Sequence, residues 1–255
     1  MFRKKMKSFG RTHRALRLGC FLFLSLIAYT WFMAEAALAQ VVVPEGNVAF
    51  VVVRATARTE REKAADTLLT GLGYKITYID SIQVNTADLS KARLIIATEK
   101  NSIATFGSSG INSLIEGGKR VVLLYDAAAV LGGNWSYRRA YGQGYSPANQ
   151  GPLLVERGEG ILTGYAATVA FDVQGVDQGD IGDVAVVNRG YPFGWVVLGR
   201  DLAAEENKTT FYREHPSGGR GVIFTYNPKY YTDSGENLFV KLVEWLTGTN
   251  PLPSI

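Results

Sequence analysis

Cysteine and histidine are nearly absent from this sequence of 255 residues, which contains one cysteine and two histidines. Cys20 and His13 both lie within the first 39 residues, so residues 40–255 contain no thiol and carry His215 as their single imidazole. Catalysis by a cysteine nucleophile needs an activatable thiol and an adjacent base, and a zinc site needs several His, Cys or carboxylate ligands. We therefore expect no Cys–His catalysis, no zinc site and no cofactor in residues 40–255.

The first 39 residues have the pattern of a secretory signal peptide. Seven cations precede an apolar stretch from about Cys20 to Met33, and Ala37-Leu38-Ala39 forms a small-residue cleavage motif. The apolar stretch is shorter than the roughly 18–20 residues that a spanning helix needs, so a retained anchor is the alternative. We predict a signal peptide at residues 1–39 and one exported domain at residues 40–255, periplasmic or extracellular, without a membrane span.

The positive net charge of the sequence, +4, resides in this leader. Residues 1–39 hold 7 of the 27 Lys and Arg and only Glu35 of the 23 acids, which leaves residues 40–255 with a net charge of −2. Nucleic-acid-binding domains carry clustered excess positive charge. The sequence therefore predicts no nucleic-acid partner.

The first half of residues 40–255 alternates apolar runs with helical patterns. Thr59-x-x-Glu62 forms a capping box that begins a helix, and Gly73 ends that helix. A second helix is predicted over residues 109–116. Apolar runs predict four buried strands, and strands that alternate with helices at this spacing favour an open parallel sheet; the strands cover residues 48–53, 75–80, 93–97 and 120–125.

The second half is rich in strand patterns. Residues 132–152, rich in Gly and aromatics, are predicted to be a long loop. Partial alternation of apolar and polar residues favours antiparallel strands at residues 167–173, 183–187, 195–198 and 209–212. A further parallel strand covers residues 221–226, and Asp233-x-x-Glu236 caps a last helix that Gly248 ends. The predicted class is α/β, with an open, mostly parallel sheet, flanking helices and an inserted β-rich segment.

This order of elements resembles the class I glutamine amidotransferase-like superfamily, and more closely its secreted, trehalose-utilisation-type relatives. The resemblance covers about residues 48–246. It rests on the segments V-A-F-V-V-V, A-D-L-S-K-A-R-L-I-I-A-T, G-K-R-V-V-L-L-Y-D, G-I-L-T-G-Y and G-R-G-V-I-F-T-Y-N-P. It implies a three-layer fold of flavodoxin-like or amidotransferase-like type.

Active members of that superfamily place a cysteine at a sharp strand-to-helix elbow after the G-K-x-V-V-L strand, and a histidine in a His-Pro-Glu triplet after the late strand. The corresponding positions here are about Asp126 and the triplet Asn227-Pro228-Lys229. His215 precedes the late strand and does not fill the role of the base. The resemblance therefore implies a degenerate, secreted member that lacks amidotransferase activity.

Candidate binding residues follow the predicted strands. Open α/β sheets bind ligands at the carboxyl ends of their strands, so Asp126 could accept sugar hydroxyls or act as base or nucleophile; the alternative is a cap of its own turn. Asn227 is the second candidate at this edge. The segment after Asp126 adds side chains that suit stacking on sugar rings, or that pack over the domain edge: Trp135, Tyr137, Arg138, Arg139, Tyr141 and Tyr145.

Four aspartates form a weak candidate for a calcium site on a flexible acidic loop. A solvated acidic turn is the alternative reading of this segment, because its spacing does not match an EF-hand loop. The four residues are Asp172, Asp177, Asp180 and Asp183.

Three functional hypotheses follow. The first is an exported, non-catalytic domain that binds a carbohydrate or a protein partner at the carboxyl ends of the strands. The second is a hydrolase in which Asp126 acts with help from His215 or Arg220. The third is a purely structural or assembly domain without a small ligand.

Overall fold

The computed structural model describes residues 40–132, 134–138, 153–155, 170–171, 173, 184–189, 194–201 and 207–248. The described residues from 41 onward belong to one unit. The predicted leader lies outside the described residues, so the signal peptide and the domain boundary at residue 40 stay predictions. None of the helices within the described ranges is long and apolar enough to cross a membrane.

The described residues contain eleven strands and four α-helices. The helices are α1 (Glu60–Gly71), α2 (Lys100–Ile103), α3 (Gly107–Glu116) and α4 (Asp233–Thr247). The strands are β1 (Val48–Val52), β2 (Ile76–Asp80), β3 (Leu94–Ala97), β4 (Arg120–Leu124), β5 (Asn134–Arg138), β6 (Leu153–Val155), β7 (Ala170–Phe171), β8 (Val184–Arg189), β9 (Val196–Asp201), β10 (Lys208–Glu214) and β11 (Arg220–Phe224).

One half of the sheet is parallel, with the strand order β2-β1-β3-β4-β11. This is the second-first-third-fourth-fifth order of flavodoxin-like sheets. From β11 the sheet continues in antiparallel pairings through β10, β9, β6 and β7, while β5 pairs with β8 and β8 with β10. The predicted α/β class, with a β-rich segment inserted before the last parallel strand, is confirmed.

The core lies on both faces of the parallel strands. Successive side chains of a strand point to opposite faces, and β1 is fully buried along its whole length. Phe50 packs with Leu69 of α1 and Phe239 of α4 on one face, whereas Val51 packs with Ile111 of α3 on the other. Helices therefore cover both faces, which gives the predicted three layers.

The predicted capping box ties α1 to the end of β1. The Thr59 hydroxyl accepts a hydrogen bond from the Glu62 amide, and Glu62 Oε2 accepts one from the Thr59 amide at 2.7 Å. The other oxygen, Oε1, accepts from the Val53 amide at 2.8 Å, just past β1. Because the Glu62 side chain is buried, desolvation raises the pKa of its carboxyl group. Both oxygens of a single side chain thus fix how the chain turns from strand to helix.

Two local predictions were wrong, and one helix was missed. Residues 134–138, predicted as part of a long loop, form β5, because Asn-Trp-Ser-Tyr-Arg alternates polar and aromatic residues and pairs with β8. The short α2 was not predicted. The last helix begins one residue earlier than expected, since the Thr232 hydroxyl accepts from the Gly235 amide and Asp233 is already helical.

We expect Glu62→Gln to destabilise the fold, because its amide nitrogen would face one of the two backbone N–H groups that now donate to Glu62. An unsatisfied buried donor costs about 1–3 kcal/mol. The matched control is Glu60→Gln in the same helical turn, where the exposed side chain only pairs with Lys63, so its urea midpoint should stay that of the wild type. Equal midpoints for Glu62→Gln and the wild type would contradict this account of the cap.

Candidate functional site

The parallel half of the sheet has a topological switch point between β1 and β3. The chain leaves β1 toward β2 on one side, whereas β3 lies on the other side of β1. In open α/β sheets the connections diverge at such a point and leave a crevice at the carboxyl ends of the strands. Here the segments that follow β1, β3 and β4 bring Thr59, Arg61, Glu99, Tyr125 and Asp126 to this edge.

Glu99 lies at the centre of this group and is 6% exposed. Its Oε1 accepts a hydrogen bond from the Thr59 hydroxyl at 2.8 Å. The Arg61 guanidinium donates to both carboxylate oxygens, from Nε at 2.8 Å and from Nη2 at 3.1 Å. A two-point contact between a guanidinium and a carboxylate fixes both planes. Glu99 therefore connects the exit of β3 to the start of α1.

Tyr125, directly after β4, has a φ of 46°, and it is the one non-glycine residue among the described residues with a positive φ. A left-handed conformation costs an L-residue with a Cβ atom roughly 1–2 kcal/mol. The Arg61 guanidinium lies 4.8 Å from the centre of the Tyr125 ring, within reach of a cation–π interaction. The chain therefore has a strained elbow after β4. Its left-handed residue is Tyr125, one position before Asp126, the position that the family resemblance implied.

Asp126 caps a neighbouring segment. Its Oδ1 accepts a hydrogen bond from the Lys100 amide at 2.8 Å, at the start of α2, rather than capping its own turn as the alternative reading had it. Burial and, to a lesser extent, the nearby Glu99 charge raise the pKa of its carboxyl group to about 6, against the lowering effects of the Lys100 amide and Arg61. Asp126 is therefore partly protonated near neutral pH.

Asn227 also binds backbone. It is buried after β11, and its Oδ1 accepts from the Lys229 amide at 3.1 Å, capping the short 3-10 turn Pro228–Tyr230. Neither Asp126 nor Asn227 forms a nucleophile–base pair within the described residues.

His215 and Arg220 lie at the opposite edge of the sheet from Asp126. β4 and β11 are parallel and paired in register from Arg120–Arg220 to Leu124–Phe224, so Asp126 follows the carboxyl end while His215 precedes the amino end. At about 3.3 Å per residue, the paired length alone separates the two edges by roughly 13 Å. Neither His215 nor Arg220 can assist Asp126, and the hydrolase hypothesis loses those two partners.

Trp135 contributes to packing. Its indole nitrogen donates to the Gly132 carbonyl at 2.8 Å, and its partly buried ring packs against the core cluster around Val51. The backbones of Tyr137 and Arg138 lie in β5. The other members of the predicted binding segment and the four aspartates of the predicted calcium loop lie outside the described residues and stay predictions: Arg139, Tyr141, Tyr145, Asp172, Asp177, Asp180 and Asp183. Within the described part of the chain, no group of three or more His, Cys, Asp or Glu could hold a metal ion.

The sequence reasoning missed Glu99 and Arg61. Glu99 comes two residues after β3, so the rule that singled out Asp126 after β4 would have found it, had the rule been applied to every strand. Arg61 carried no comparable signal. Its role comes from a contact with Glu99, 38 residues along the chain.

Glycine at position 125 should give a more stable protein than alanine. Both substitutions remove the ring and its contact with Arg61, but only alanine keeps a Cβ atom in the left-handed conformation. We expect Tyr125→Gly to exceed Tyr125→Ala by about 1 kcal/mol in the free energy of unfolding, whereas elsewhere glycine is usually the less stable of the two. Urea denaturation of the two variants measures this, and an alanine variant of equal or greater stability would exclude a strained elbow.

Asp126→Asn should remove a pH dependence of stability. The pKa of Asp126 in the folded protein, about 6, lies above its ordinary value of 3.8, so the folded state binds the proton more tightly than the unfolded state. The resulting stabilisation is complete below about pH 4 and is lost as pH rises through 6. Asparagine keeps an oxygen for the Lys100 amide but does not titrate.

The measurement is the free energy of unfolding of the wild type and of Asp126→Asn between pH 4 and 7. At about 1.4 kcal/mol per pKa unit, the asparagine variant should gain up to about 3 kcal/mol relative to the wild type over this range. The difference between the two unfolding free energies at each pH removes the contributions of other titrating groups, such as Glu62, because both proteins contain them. A difference that does not change with pH would show that Asp126 titrates normally.

Comparisons with known proteins find likeness of fold only. No protein-family model matches the sequence, and no curated protein matches it. Solved structures with a similar fold include a ThuA-like protein from Bacteroides uniformis (TM-score 0.47, 11% identity, 79% of this chain and 91% of that chain). They also include a glutamine amidotransferase from Thermotoga maritima (TM-score 0.46, 9% identity, 80% and 99%) and the mmIFT52 N-terminal domain (TM-score 0.46, 11% identity, 79% and 97%). This degree of likeness says nothing about activity or ligand.

Proposed function

We propose that the chain is an exported, non-catalytic binding domain that holds a carbohydrate at the carboxyl edge of the parallel sheet, beside the switch point between β1 and β3. The observation that carries the proposal is the left-handed Tyr125 at this edge, under the Arg61–Glu99 pair. Strained backbone persists only where its surroundings determine it, and such residues cluster at ligand sites. The leader pattern of residues 1–39 supports export.

Several observations favour binding over catalysis. Residues 40–255 contain no cysteine, and the elbow residue that would present a nucleophile is a tyrosine. Asp126 and Asn227 each accept a hydrogen bond from a backbone amide, which uses part of their capacity to hold the structure. Within the described residues, the strand-to-helix elbow is therefore present without a nucleophile and base in contact.

The chemistry of this edge suits sugar hydroxyl groups. Hydroxyls donate to carboxylate oxygens and accept from guanidinium groups, and both kinds of group lie here. Within the described residues, Asp126 Oδ2 has no hydrogen-bond partner, and about one third of the Arg61 side chain is exposed. The aromatic residues predicted beyond β5 would add stacking surfaces. A protein partner is the other occupant that this surface could take, and the experiment below distinguishes the two.

A hydrolase remains the second candidate because two carboxyl groups, those of Glu99 and Asp126, lie at this edge. Arg61 and Thr59 donate hydrogen bonds to Glu99, and the pKa of Asp126 is raised to about 6. A carboxyl group whose pKa is raised toward neutrality can act as the general acid or base of a hydrolase. In this form of the hydrolase hypothesis, Glu99 takes the assisting role that the sequence had suggested for His215.

The test measures the thermal midpoint of the full-length protein against a panel of neutral glycans, together with the release of p-nitrophenol from the matching glycosides. A ligand at 100 times its Kd stabilises a protein by about 2.7 kcal/mol, which moves the midpoint by a few degrees. We expect such a shift without turnover. Arg61→Met should abolish the shift relative to its own midpoint, whereas Lys63→Met, on the same helix but paired with exposed Glu60, should retain it.

Other outcomes contradict parts of the proposal. Turnover that Asp126→Asn abolishes would establish the hydrolase. No shift with any glycan would overturn the carbohydrate ligand and favour a protein partner. A shift that survives in Arg61→Met would place the glycan away from this edge.

A further inference from the structure

A second candidate site lies at the amino edge of the parallel sheet, opposite the carboxyl edge that carries Glu99 and Asp126. A cleft of about 640 Å³ opens there between the start of β4, the turn that joins β10 to β11, and the end of α4. Small-molecule sites are typically clefts of roughly 300–1,000 Å³. The charged and polar side chains that line it are Arg120, Glu214, His215 and Arg220.

The two edges of the parallel sheet differ in the charged residues at the strand ends themselves. Acids end or follow three of the strands, namely Asp80, Glu99 and Asp126. Cations begin or directly precede four strands at the amino edge: Lys75, Arg93, Lys119, Arg120 and Arg220. A concentration of one sign of charge around a cleft attracts ligands of the opposite sign. The amino edge therefore favours an anion.

The negative groups of the cleft are already matched by Arg220. Its guanidinium pairs with Glu214 at 3.1 Å, donates to the Trp245 carbonyl at 2.6 Å and stacks over the Trp245 ring. Trp245 lies in the last turn of α4, so this bond also meets the partial negative charge at the end of that helix. Arg220 is thus a fixed wall of the cleft, and its charge is compensated.

Arg120 is not compensated in this way. Its Nε is buried and has no hydrogen-bond partner among the described residues. A buried donor without an acceptor costs about 1–3 kcal/mol, and more when it is charged. The planar guanidinium fork matches the oxygens of a carboxylate or phosphate group. Because Nε is closed to solvent, an oxyanion in the cleft would meet the terminal nitrogens of Arg120, which forms no ion pair among the described residues.

His215 supplies a second donor to the same cleft. The Ser217 hydroxyl lies 2.9 Å from His215 Nδ1, and the Ser217 amide donates to the same nitrogen at 3.3 Å; a ring whose Nδ1 accepts these bonds carries a proton on Nε2. The turn around it is held firmly. Gly219 is packed so closely on the Ile115 carbonyl that a Cβ atom would not fit, and Gly218 has a φ of 85°.

We propose that this cleft binds a small molecule through an oxyanion group, a phosphate or carboxylate, that Arg120 and His215 hold. The site is distinct from the carboxyl edge and does not depend on the function proposed for it. The volume of the cleft admits a ligand of monosaccharide size. The ligand could be a free oxyanion, such as phosphate, or a sugar that carries a phosphate or carboxylate group. Titration with both kinds of ligand distinguishes them.

The test is isothermal titration calorimetry of the full-length protein with inorganic phosphate, glucose 6-phosphate, glucuronate and uncharged glucose. We expect the three anions to bind and glucose not to bind at this cleft. Arg120→Met should weaken anion binding at least about tenfold, the effect of losing one charged hydrogen bond, and Arg120→Lys should weaken it less. The matched control is Arg93→Met, a cation of the same edge that stacks over Tyr74 outside the cleft, and it should bind like the wild type.

Unfolding midpoints of the variants show that each is folded before titration. Tighter binding of the sugar anions than of inorganic phosphate shows that the cleft also contacts the sugar. Equal binding shows that the cleft contacts only the oxyanion group. Both results support the proposal. It is overturned if no anion binds at millimolar concentration, or if Arg120→Met binds as tightly as the wild type.

Discussion

The buried carboxylate of Glu99 is the group on which the carboxyl edge of this fold depends. A nearly buried anion is tolerated only when it is paired and hydrogen-bonded, and Glu99 finds both conditions in Arg61 and Thr59. These bonds tie the exit of β3 to the start of α1 across the switch point. They also place the Arg61 guanidinium over Tyr125, so that one ion pair supports the strained elbow after β4.

The same carboxylate sets the electrostatics of its neighbour. Its negative charge adds to burial in raising the pKa of Asp126, and the Lys100 amide keeps the Asp126 side chain in place. The two edges of the parallel sheet therefore differ in kind. The carboxyl edge carries Glu99 and Asp126 beside the Arg61 guanidinium, and the amino edge carries cations, of which Arg120 has an unmatched buried donor.

Local sequence signals predicted most helices and strands, whereas the candidate site is formed by contacts between residues far apart in the sequence. The apolar runs of β1 and β4 and the Thr59–Glu62 capping box were readable because each signal lies within a few residues. β5 was missed because its strand character depends on pairing with β8, about 50 residues further along the chain. The Arg61–Glu99 pair follows from the strand order, which no local pattern encodes. Tyr125 shows the same limit, since an elbow predicted from resemblance was displaced by one residue.

Amide chemical-shift mapping of the full-length protein, during titration with the glycan panel, tests most directly whether the carboxyl edge is the ligand surface. The account predicts that the amides of Thr59, Glu99, Lys100 and Asp126 shift together and saturate with one Kd, because they share one hydrogen-bonded group. If a glycan binds while these amides keep their positions, the ligand surface lies elsewhere and the strained elbow has only a structural role.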